Sequence, residues 1–416
     1  MIPEHAADLP AESAEELLPL LAEPSGGVPP VLTSTKELGE ATAALAIGHG
    51  PVAIDAERAS GYRYGQRAFL VQLRRQGAGS FLIDPQALPD LSQLNQALAD
   101  IEWVLHAATQ DLPCLAELGM TPTRLFDTEL AARLLNWPKV GLGAVVERVL
   151  GLRLAKEHSA VDWSTRPLPE PWLRYAALDV EVLVKIRDRM TIELQASGKA
   201  EWAAEEFDHA RRFIPAQRAE PWRRLSGIHS VRRPRNLAVA RSLWESREQL
   251  ARDRDVSPGR LLPDSAIVGA AKSVPSSPGE LLGSKSFNGR AAKSEITRWY
   301  SAVEAGLAVD ESELPAVTVR TNNPPPPRLW AEKDPQAAAR LGAAKLVIAD
   351  LVEEYDLPPE NLLTPDFLRR LCWRPPEEIS EQSVATSLSA LGARNWQLSL
   401  VAGPLTEALR NPGLSD

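Results

Sequence analysis

The sequence predicts an α/β domain with a mixed sheet flanked by helices, followed by two all-helical lobes. Short apolar runs alternate with helical patterns from about residue 31 to residue 205, as in a sheet covered by helices. From residue 221 onward the apolar pattern is helical throughout. Four consecutive prolines, Pro324–Pro327, interrupt the helical part and favour an extended, semi-rigid linker.

These patterns divide the chain into five segments. Residues 1–30 are acidic and rich in Ala and Pro, which predicts a mobile tail, with Leu17–Leu21 as a candidate short helix. The α/β domain covers residues 31–210. A first helical lobe (221–307), a Pro-rich linker (308–335) and a second helical lobe (336–412) follow.

Four strands and four helices are predicted in the α/β domain. The strands are Pro51–Glu57, Phe69–Leu73, Ser80–Asp84 and Glu102–His106, with a glycine turn at Gly77–Gly79 between the second and third. The helices are Thr109–Leu118, Asp127–Leu135, Leu142–Leu150 and Glu170–Leu194.

Charge is unevenly distributed along the chain. The net charge of −9 argues against a nucleic acid partner, but residues 208–260 hold thirteen arginines against six acids. Attraction to phosphate depends on such a local patch rather than on the total charge. The composition therefore leaves nucleic acid open as a partner.

The sequence also indicates a compartment. No apolar run reaches the roughly 18 residues that a membrane helix needs. The first thirty residues have neither the basic region nor the apolar core of a secretory signal. Cys114 and Cys372 fit no metal or disulfide pattern. We therefore expect a cytoplasmic protein without a membrane partner.

Four carboxylates stand where acids are unusual. Asp55 and Glu57 end an apolar strand and, being two residues apart, point to the same face. Asp111 falls in the first turn of the helix after the fourth strand. Asp179 and Tyr175 share one face of the last helix. Burying four carboxylates together requires compensating positive charge, which a pair of Mg²⁺ or Mn²⁺ ions supplies. Two ions about 4 Å apart suit phosphodiester hydrolysis.

Each of these acids has an ordinary explanation when it is taken alone. An Asp-X-Glu sequence at a strand end is usually turn or surface chemistry, and Asp111 alone suits the positive end of a helix dipole. A lone Tyr-X-X-X-Asp in a helix says little. Only the ordered set, on the predicted elements, favours a metal site.

The order Asp55-X-Glu57, Asp111, Tyr175-X-X-X-Asp179 resembles the three exonuclease motifs of the DEDD superfamily in its tyrosine-bearing branch. Three further stretches resemble the ribonuclease D family in particular: Leu105–Leu112, Asp127–Ala132 and Lys156–Trp163. The resemblance covers about residues 31–210. It implies an RNase H-like fold and a 3′–5′ exoribonuclease that uses two divalent ions. The implied substrate is RNA with a free 3′ end, with tRNA precursors as the family expectation.

The resemblance also implies roles for individual residues. Asp55, Glu57, Asp111 and Asp179 would hold the ions, with Asp55 bridging both, and Tyr175 would position the attacking water. A supporting segment that contacts substrate would comprise Lys156, Ser159, Asp162 and Trp163, for which local packing is an equally good explanation. His106 is expected to fix the following loop rather than to transfer protons.

The helical lobes resemble HRDC domains, which are modules shared by helicases and ribonuclease D. The resembling stretches of the first lobe are Trp222–Leu225, Leu237–Arg254 and Arg260–Asp264, and the second lobe resembles a more divergent copy. Such modules help to hold RNA in the family, so Arg232, Arg233 and Arg235 are candidate RNA-binding residues. The alternative is that the lobes are stabilising or interaction bundles.

Two other functions remain as alternatives at this stage. A DNA exonuclease for repair or proofreading would use the same four acids, although no polymerase or helicase module is visible in the sequence. A catalytically silent RNA-binding scaffold is disfavoured because all four acids and the tyrosine are present.

Overall fold

The computed structural model describes residues 18–155, 158, 160–287, 289–318 and 323–413. Within these residues an α/β body precedes two helical lobes. The strands are β1 (Leu20–Leu21), β2 (Val31–Leu32), β3 (His49–Arg58), β4 (Ala68–Gln76), β5 (Gly79–Ile83), β6 (Glu102–Leu105), β7 (Arg124–Asp127) and β8 (Arg153–Leu154).

The helices of the body are α1 (Thr35–Ile47), α2 (Ser92–Ala97), α3 (Leu112–Ala116), α4 (Thr128–Leu134), α5 (Leu142–Leu150), α6 (Glu170–Ala196) and α7 (Ala200–Ala210). The first lobe contains α8 (Pro234–Arg254), α9 (Pro258–Leu261), α10 (Asp264–Ser273), α11 (Pro278–Gly283), α12 (Arg290–Ser294) and α13 (Ile296–Ala308). The second lobe contains α14 (Trp330–Lys333), α15 (Pro335–Tyr355), α16 (Pro359–Leu362), α17 (Pro365–Trp373), α18 (Glu381–Leu391) and α19 (Asn395–Arg410).

The main sheet has the order β2-β5-β4-β3-β6-β7. Strand β3 pairs antiparallel with β4 and parallel with β6, so the sheet is mixed, as predicted. The four predicted strands are present. The structure adds β2 and β7 at the two edges, which the sequence analysis missed. Short edge strands carry a weak periodic signal.

The predicted mobile tail is wrong for residues 18–30. Strand β1 pairs in parallel with β8, so Leu20–Leu21 is extended rather than helical. The Ser25 hydroxyl donates to Glu181 at 2.7 Å, and Glu23 forms an ion pair with Arg174 at 3.1 Å. Partners distant in sequence therefore fix this segment, which local composition could not reveal. Residues 1–17 lie outside the described part of the chain.

Helix α6 covers the face of the sheet that carries Ala53, Asp55 and Glu57. Its apolar side is buried through Ala176, Val180 and other residues of the same face, which holds the helix at a fixed height above β3. The helix is 27 residues long, somewhat longer than predicted. Its first half lies over the end of β3, and this position decides which of its side chains meet the strand's carboxylates.

The two helical lobes share one pattern, in which a long helix is followed by a sharp turn and a short helix. Helices α8 and α15 both have 21 residues, and they end at Asp255 and Asp356 in the left-handed conformation (φ 50° and 48°). This agreement supports the interpretation of the second lobe as a divergent copy of the first.

The lobes differ in how they join the body. The core of the second lobe is continuous with that of the body, since Ala53, Val180 and Leu405 belong to one apolar cluster. The first lobe has its own core. The predicted linker, residues 308–335, also contributes to packing, because Trp330 of α14 is fully buried and donates to the Pro325 carbonyl at 2.7 Å.

Candidate active site

Three of the predicted acids meet beneath α6. Asp55 and Glu57 project from one face of β3, and α6 brings Asp179 onto that face. One carboxylate oxygen from each of the three lies within 4.8 Å of the others. Tyr175, one turn before Asp179, interacts with the Asp179 carboxylate through its hydroxyl. These side chains line a cleft of about 280 Å³.

Asp111 lies at the same cleft but has a different neighbour. It directly precedes α3 rather than lying in the helix's first turn as predicted. Its carboxylate interacts with that of Asp55, and Arg58 Nη2 lies 3.3 Å from its Oδ1. Arg58 also donates to the Gln110 carbonyl at 2.8 Å. Arg58 therefore holds the loop that carries the fourth acid, a role that sequence analysis missed although Arg58 directly follows Glu57.

The four carboxylates lie in one another's electrostatic field, and Glu57, Asp111 and Asp179 are buried. Burial, followed by the charges of Asp55, Asp179 and Asp111, raises the pKa of Glu57 well above its ordinary value. Burial and then Asp55 raise the pKa values of Asp111 and Asp179 in the same way. Burial likewise raises the pKa of Asp55, although a hydrogen bond from the Ala56 backbone and the charge of Arg58 act to lower it. The cluster is thus short of positive charge, and a bound cation would supply it.

Asp127 has a role that the sequence analysis did not assign. It ends β7 and caps α4, in agreement with the predicted start of this helix to within one residue. Its buried carboxylate accepts hydrogen bonds from the backbone N–H groups of Ala107 (3.1 Å) and Ala108 (2.8 Å). Ala107 has φ 57°, a conformation that costs about 1 kcal/mol or more in a residue other than glycine. Asp127 therefore holds the strained turn that leads to Asp111.

His106 lies at the same turn. Burial lowers the pKa of its imidazole to about 4, so the ring is neutral at pH 7. Its Nδ1 lies 2.9 Å from the Thr128 hydroxyl, which donates to the Leu105 carbonyl. Because that hydroxyl has a single hydrogen, it accepts from Nδ1–H, and Nε2 is left as an acceptor. His106 thus helps to fix the turn.

Of the predicted supporting segment, the structure describes Asp162 and Trp163, and neither lines the cleft. Trp163 is fully buried, and its ring centroid lies 6.4 Å from that of Tyr175. The Asp162 carboxylate accepts from the backbone N–H and hydroxyl of Ser164. Substrate contact by Trp163 is therefore wrong, because its indole is enclosed, and it supports Tyr175 instead. Lys156 and Ser159 lie outside the described residues.

The three candidate arginines of the first lobe have different environments. Arg235 donates to the carbonyls of Leu307 and Val309 and pairs with Glu311 at 3.2 Å, so it is used within the lobe. Arg232 and Arg233 are exposed. None of the three is among the described residues that line the cleft of the acids. The contacts of Arg235 within the lobe disfavour phosphate binding by its guanidinium, and phosphate binding stays a prediction for all three arginines.

Comparisons with known proteins agree with this geometry. Residues 30–195 match a family of 3′–5′ exonucleases, and residues 236–303 match the HRDC domain. Residues 323–409 match a 3′ to 5′ exonuclease C-terminal domain. Ribonuclease D of Jannaschia sp. is 32% identical over 303 residues, which are 70% of this chain and 77% of the relative. The chain belongs to the ribonuclease D family.

A further ribonuclease D and two solved structures match over greater lengths. Ribonuclease D of Nitrobacter hamburgensis is 29% identical over 82% of this chain and 87% of its own length. The crystal structure of a protein from Bifidobacterium adolescentis has a TM-score of 0.88 and 41% identity, covering 94% of this chain and 99% of that one. Escherichia coli RNase D, described as an exoribonuclease involved in structured RNA processing, has a TM-score of 0.67 and 26% identity over 92% and 98%.

These matches confirm the predicted family and the predicted fold class, an α/β exonuclease domain followed by helical lobes. They also give the second lobe a family match of its own, separate from the HRDC match of the first. No helix of the described residues is both long and apolar enough to cross a membrane.

Proposed function

We propose that this member of the ribonuclease D family hydrolyses RNA from the 3′ end and releases 5′-nucleotides with the help of two divalent metal ions. The observation that carries the proposal is the grouping of Asp55, Glu57 and Asp179, whose carboxylate oxygens lie within 4.8 Å of one another in a buried cleft. Asp111 completes the set at the edge that Arg58 holds.

The residues fit Mg²⁺ or Mn²⁺. All the available ligand atoms are carboxylate oxygens, which these hard cations prefer, and no His or Cys belongs to the described ligand group. Asp55, Glu57 and Asp179 would hold the ions, and Asp111 would act largely through water. When bound, the pair supplies Lewis acidity on both sides of the scissile phosphate.

The chain's own residues orient the reactants. Burial raises the pKa of Tyr175, so its hydroxyl stays protonated and serves to position water rather than to remove a proton. Trp163 and Trp172 pack edge to face beside it, with centroids 5.7 Å apart, and limit where the ring can move. Arg166 anchors this segment to the sheet through two hydrogen bonds to Asp84, at 2.7 and 2.8 Å.

The substrate that this arrangement suits is RNA with a free 3′ end, and tRNA precursors are the proposed physiological class. An enzyme that trims any terminus recognises bases little and relies on stacking and on sugar contacts such as the 2′-hydroxyl. We place the reaction in the cytoplasm, in keeping with the two free, buried cysteines, Cys114 and Cys372.

Cleavage of matched RNA and DNA oligonucleotides carrying a 5′ label tests this proposal. Each is incubated with Mn²⁺, with Mg²⁺ and with a chelator, and each is prepared with a free and with a blocked 3′ end. We expect a ladder shortening one nucleotide at a time from the free 3′ end of RNA, only with metal. Equal or faster cleavage of DNA would favour a DNA exonuclease, and no cleavage of either would favour a binding scaffold.

A further inference from the structure

Gln72 lies in the centre of β4, directly opposite Asp55 in the antiparallel pairing with β3. Directly opposite residues of such a pair point to the same face, with Cβ atoms about 5 Å apart. Gln72 therefore shares the face of Asp55 and Glu57, beneath α6. It is fully buried.

The Gln72 amide is not used for hydrogen bonding by the described part of the chain. In the part of the chain that the structure describes, neither its Nε2 nor its Oε1 has a hydrogen-bond partner. Buried polar groups are nearly always hydrogen-bonded, and an orphaned one usually signals a missing water, ion or functional partner. Its apolar neighbours do not require an amide, since Leu82 of β5 lies opposite it on the other side.

The surroundings limit what this amide can reach. Two residues along β4, Arg74 pairs with Glu181 of α6 at 2.9 Å. The Glu181 carboxylate is therefore already neutralised by Arg74. Asp55 lies directly opposite Gln72 on β3, and Asp179 of α6 lies beside Asp55 in the acid cluster. A carboxylate that gives one oxygen to a metal ion turns its second oxygen outward, where an N–H donor stabilises the bound orientation.

We propose that Gln72 is a positioning residue of the metal site, whose Nε2 donates to the outer oxygen of Asp55 or Asp179 when a divalent ion is held. This inference rests on the proposed function, because it needs the acids to bind metal. It assigns to Gln72 no contact with RNA and no contact with the ions. The amide acts through the carboxylate that it orients.

The test is calorimetric titration of the full-length protein with Mn²⁺ in the absence of RNA, together with thermal unfolding. Gln72→Met keeps the length of the side chain and removes both polar atoms. We expect its affinity for Mn²⁺ to fall about 10- to 100-fold, as is usual when such a supporting group is lost. Without metal, the variant should unfold at the same or a higher temperature, since removing an orphaned amide removes an unmet hydrogen-bonding need.

Leu73→Met is the matched control, because Leu73 is the next residue of the strand, is fully buried and faces the opposite core. It should bind Mn²⁺ like the wild type. If Gln72→Met does not fold, Gln72→Asn carries the same comparison, since it keeps the amide but is one methylene too short for the contact. Its Mn²⁺ affinity should fall by a similar factor.

Two results would overturn the role of Gln72. Unchanged Mn²⁺ affinity with lower metal-free stability would mean that the amide serves a buried water or Glu181, the α6 carboxylate that pairs with Arg74 of the same strand. Unchanged affinity and unchanged stability would mean that the amide has no role. If the wild type itself bound no Mn²⁺, the proposed metal-dependent function would fail.

Discussion

Asp255 and Asp356 occupy the same place in the two helical lobes, each at the left-handed end of a 21-residue helix, and each binds the α/β body there. The Asp255 carboxylate accepts two hydrogen bonds from Arg67, at 2.8 and 2.6 Å. The Asp356 side chain accepts from Asn136 at 2.6 Å, and its carbonyl accepts from Lys199 at 2.7 Å. The turn after the long helix is therefore a contact point with the body in both lobes.

The first lobe docks on the loop between β3 and β4, which directly follows the strand of Asp55 and Glu57. Ser257 N–H donates to the Tyr62 carbonyl at 2.9 Å, and Arg260 donates to the Gly61 carbonyl at 2.7 Å. From the same loop, Arg63 donates to the Ser164 hydroxyl at 2.7 Å. One loop thus joins the first lobe, the end of β3 and the segment that supports Tyr175.

A double-mutant cycle on Arg67→Ala and Asp255→Ala measures this docking. Both side chains are about one-third exposed, so solvent screens the pair, and we expect a coupling of about 0.2 to 1 kcal/mol in urea unfolding. Asp253→Ala, on the same helix and bonded only locally to Gln249, is the control and should show no coupling to Arg67. A coupling of zero for Asp255 would mean that the contact does not hold the lobe.

Removing the Tyr175 hydroxyl should separate chemistry from binding. Tyr175→Phe keeps the ring packing against Trp163 and deletes the hydroxyl that we propose orients water. We expect the single-turnover rate to fall about 100-fold, with the Kd for RNA unchanged, as for an interaction made mainly in the transition state. A rate equal to that of the wild type would remove Tyr175 from the mechanism.

The exposed arginines of the first lobe are tested by salt dependence. Each arginine–phosphate contact releases counterions, so Arg232→Ser with Arg233→Ser should weaken binding of folded RNA and flatten its salt slope by about 1 to 2. Cleavage of a short single strand should persist. Arg235→Ser is the matched comparison, and it should lower the unfolding temperature instead, because Arg235 holds Leu307, Val309 and Glu311. An unaltered slope in the double variant would place the RNA contacts elsewhere.

Metal binding should tighten as pH rises. The pKa values of Glu57, Asp111 and Asp179 are raised in the folded, metal-free protein, so the stability that these acids contribute is present at low pH and is lost as pH rises above about 4. Metal ions compete with the protons that these acids bind at low pH. The increase in unfolding temperature produced by Mn²⁺ should therefore grow from pH 5 to pH 8. If Mn²⁺ raised the unfolding temperature equally at every pH, the acids would be ionised throughout this pH range even without metal.

The sequence could predict that Asp55, Glu57 and Asp179 lie close together, because this prediction needs only their spacing along a strand and a helix. Asp55, Glu57 and Asp179 stand on strongly periodic elements, and position on a strand or helix decides which face a side chain takes. Gln72 and Asp127 could not be recognised in this way, since their roles depend on which strand lies opposite and which backbone groups converge. Trp163 was misassigned because an aromatic residue beside a predicted site looks the same in sequence whether it faces substrate or core.

The most direct test of the account is Mn²⁺ binding and RNA cleavage by Asp179→Asn, measured beside Glu206→Gln. Glu206 is equally buried, but it lies outside the cluster, where it accepts hydrogen bonds from Arg394 and Trp396. We predict that Asp179→Asn stays folded, binds Mn²⁺ weakly and releases nucleotides about 10³-fold more slowly, whereas Glu206→Gln keeps both activities. Wild-type Mn²⁺ binding and turnover by Asp179→Asn would contradict the assignment of the acid cluster as the active site.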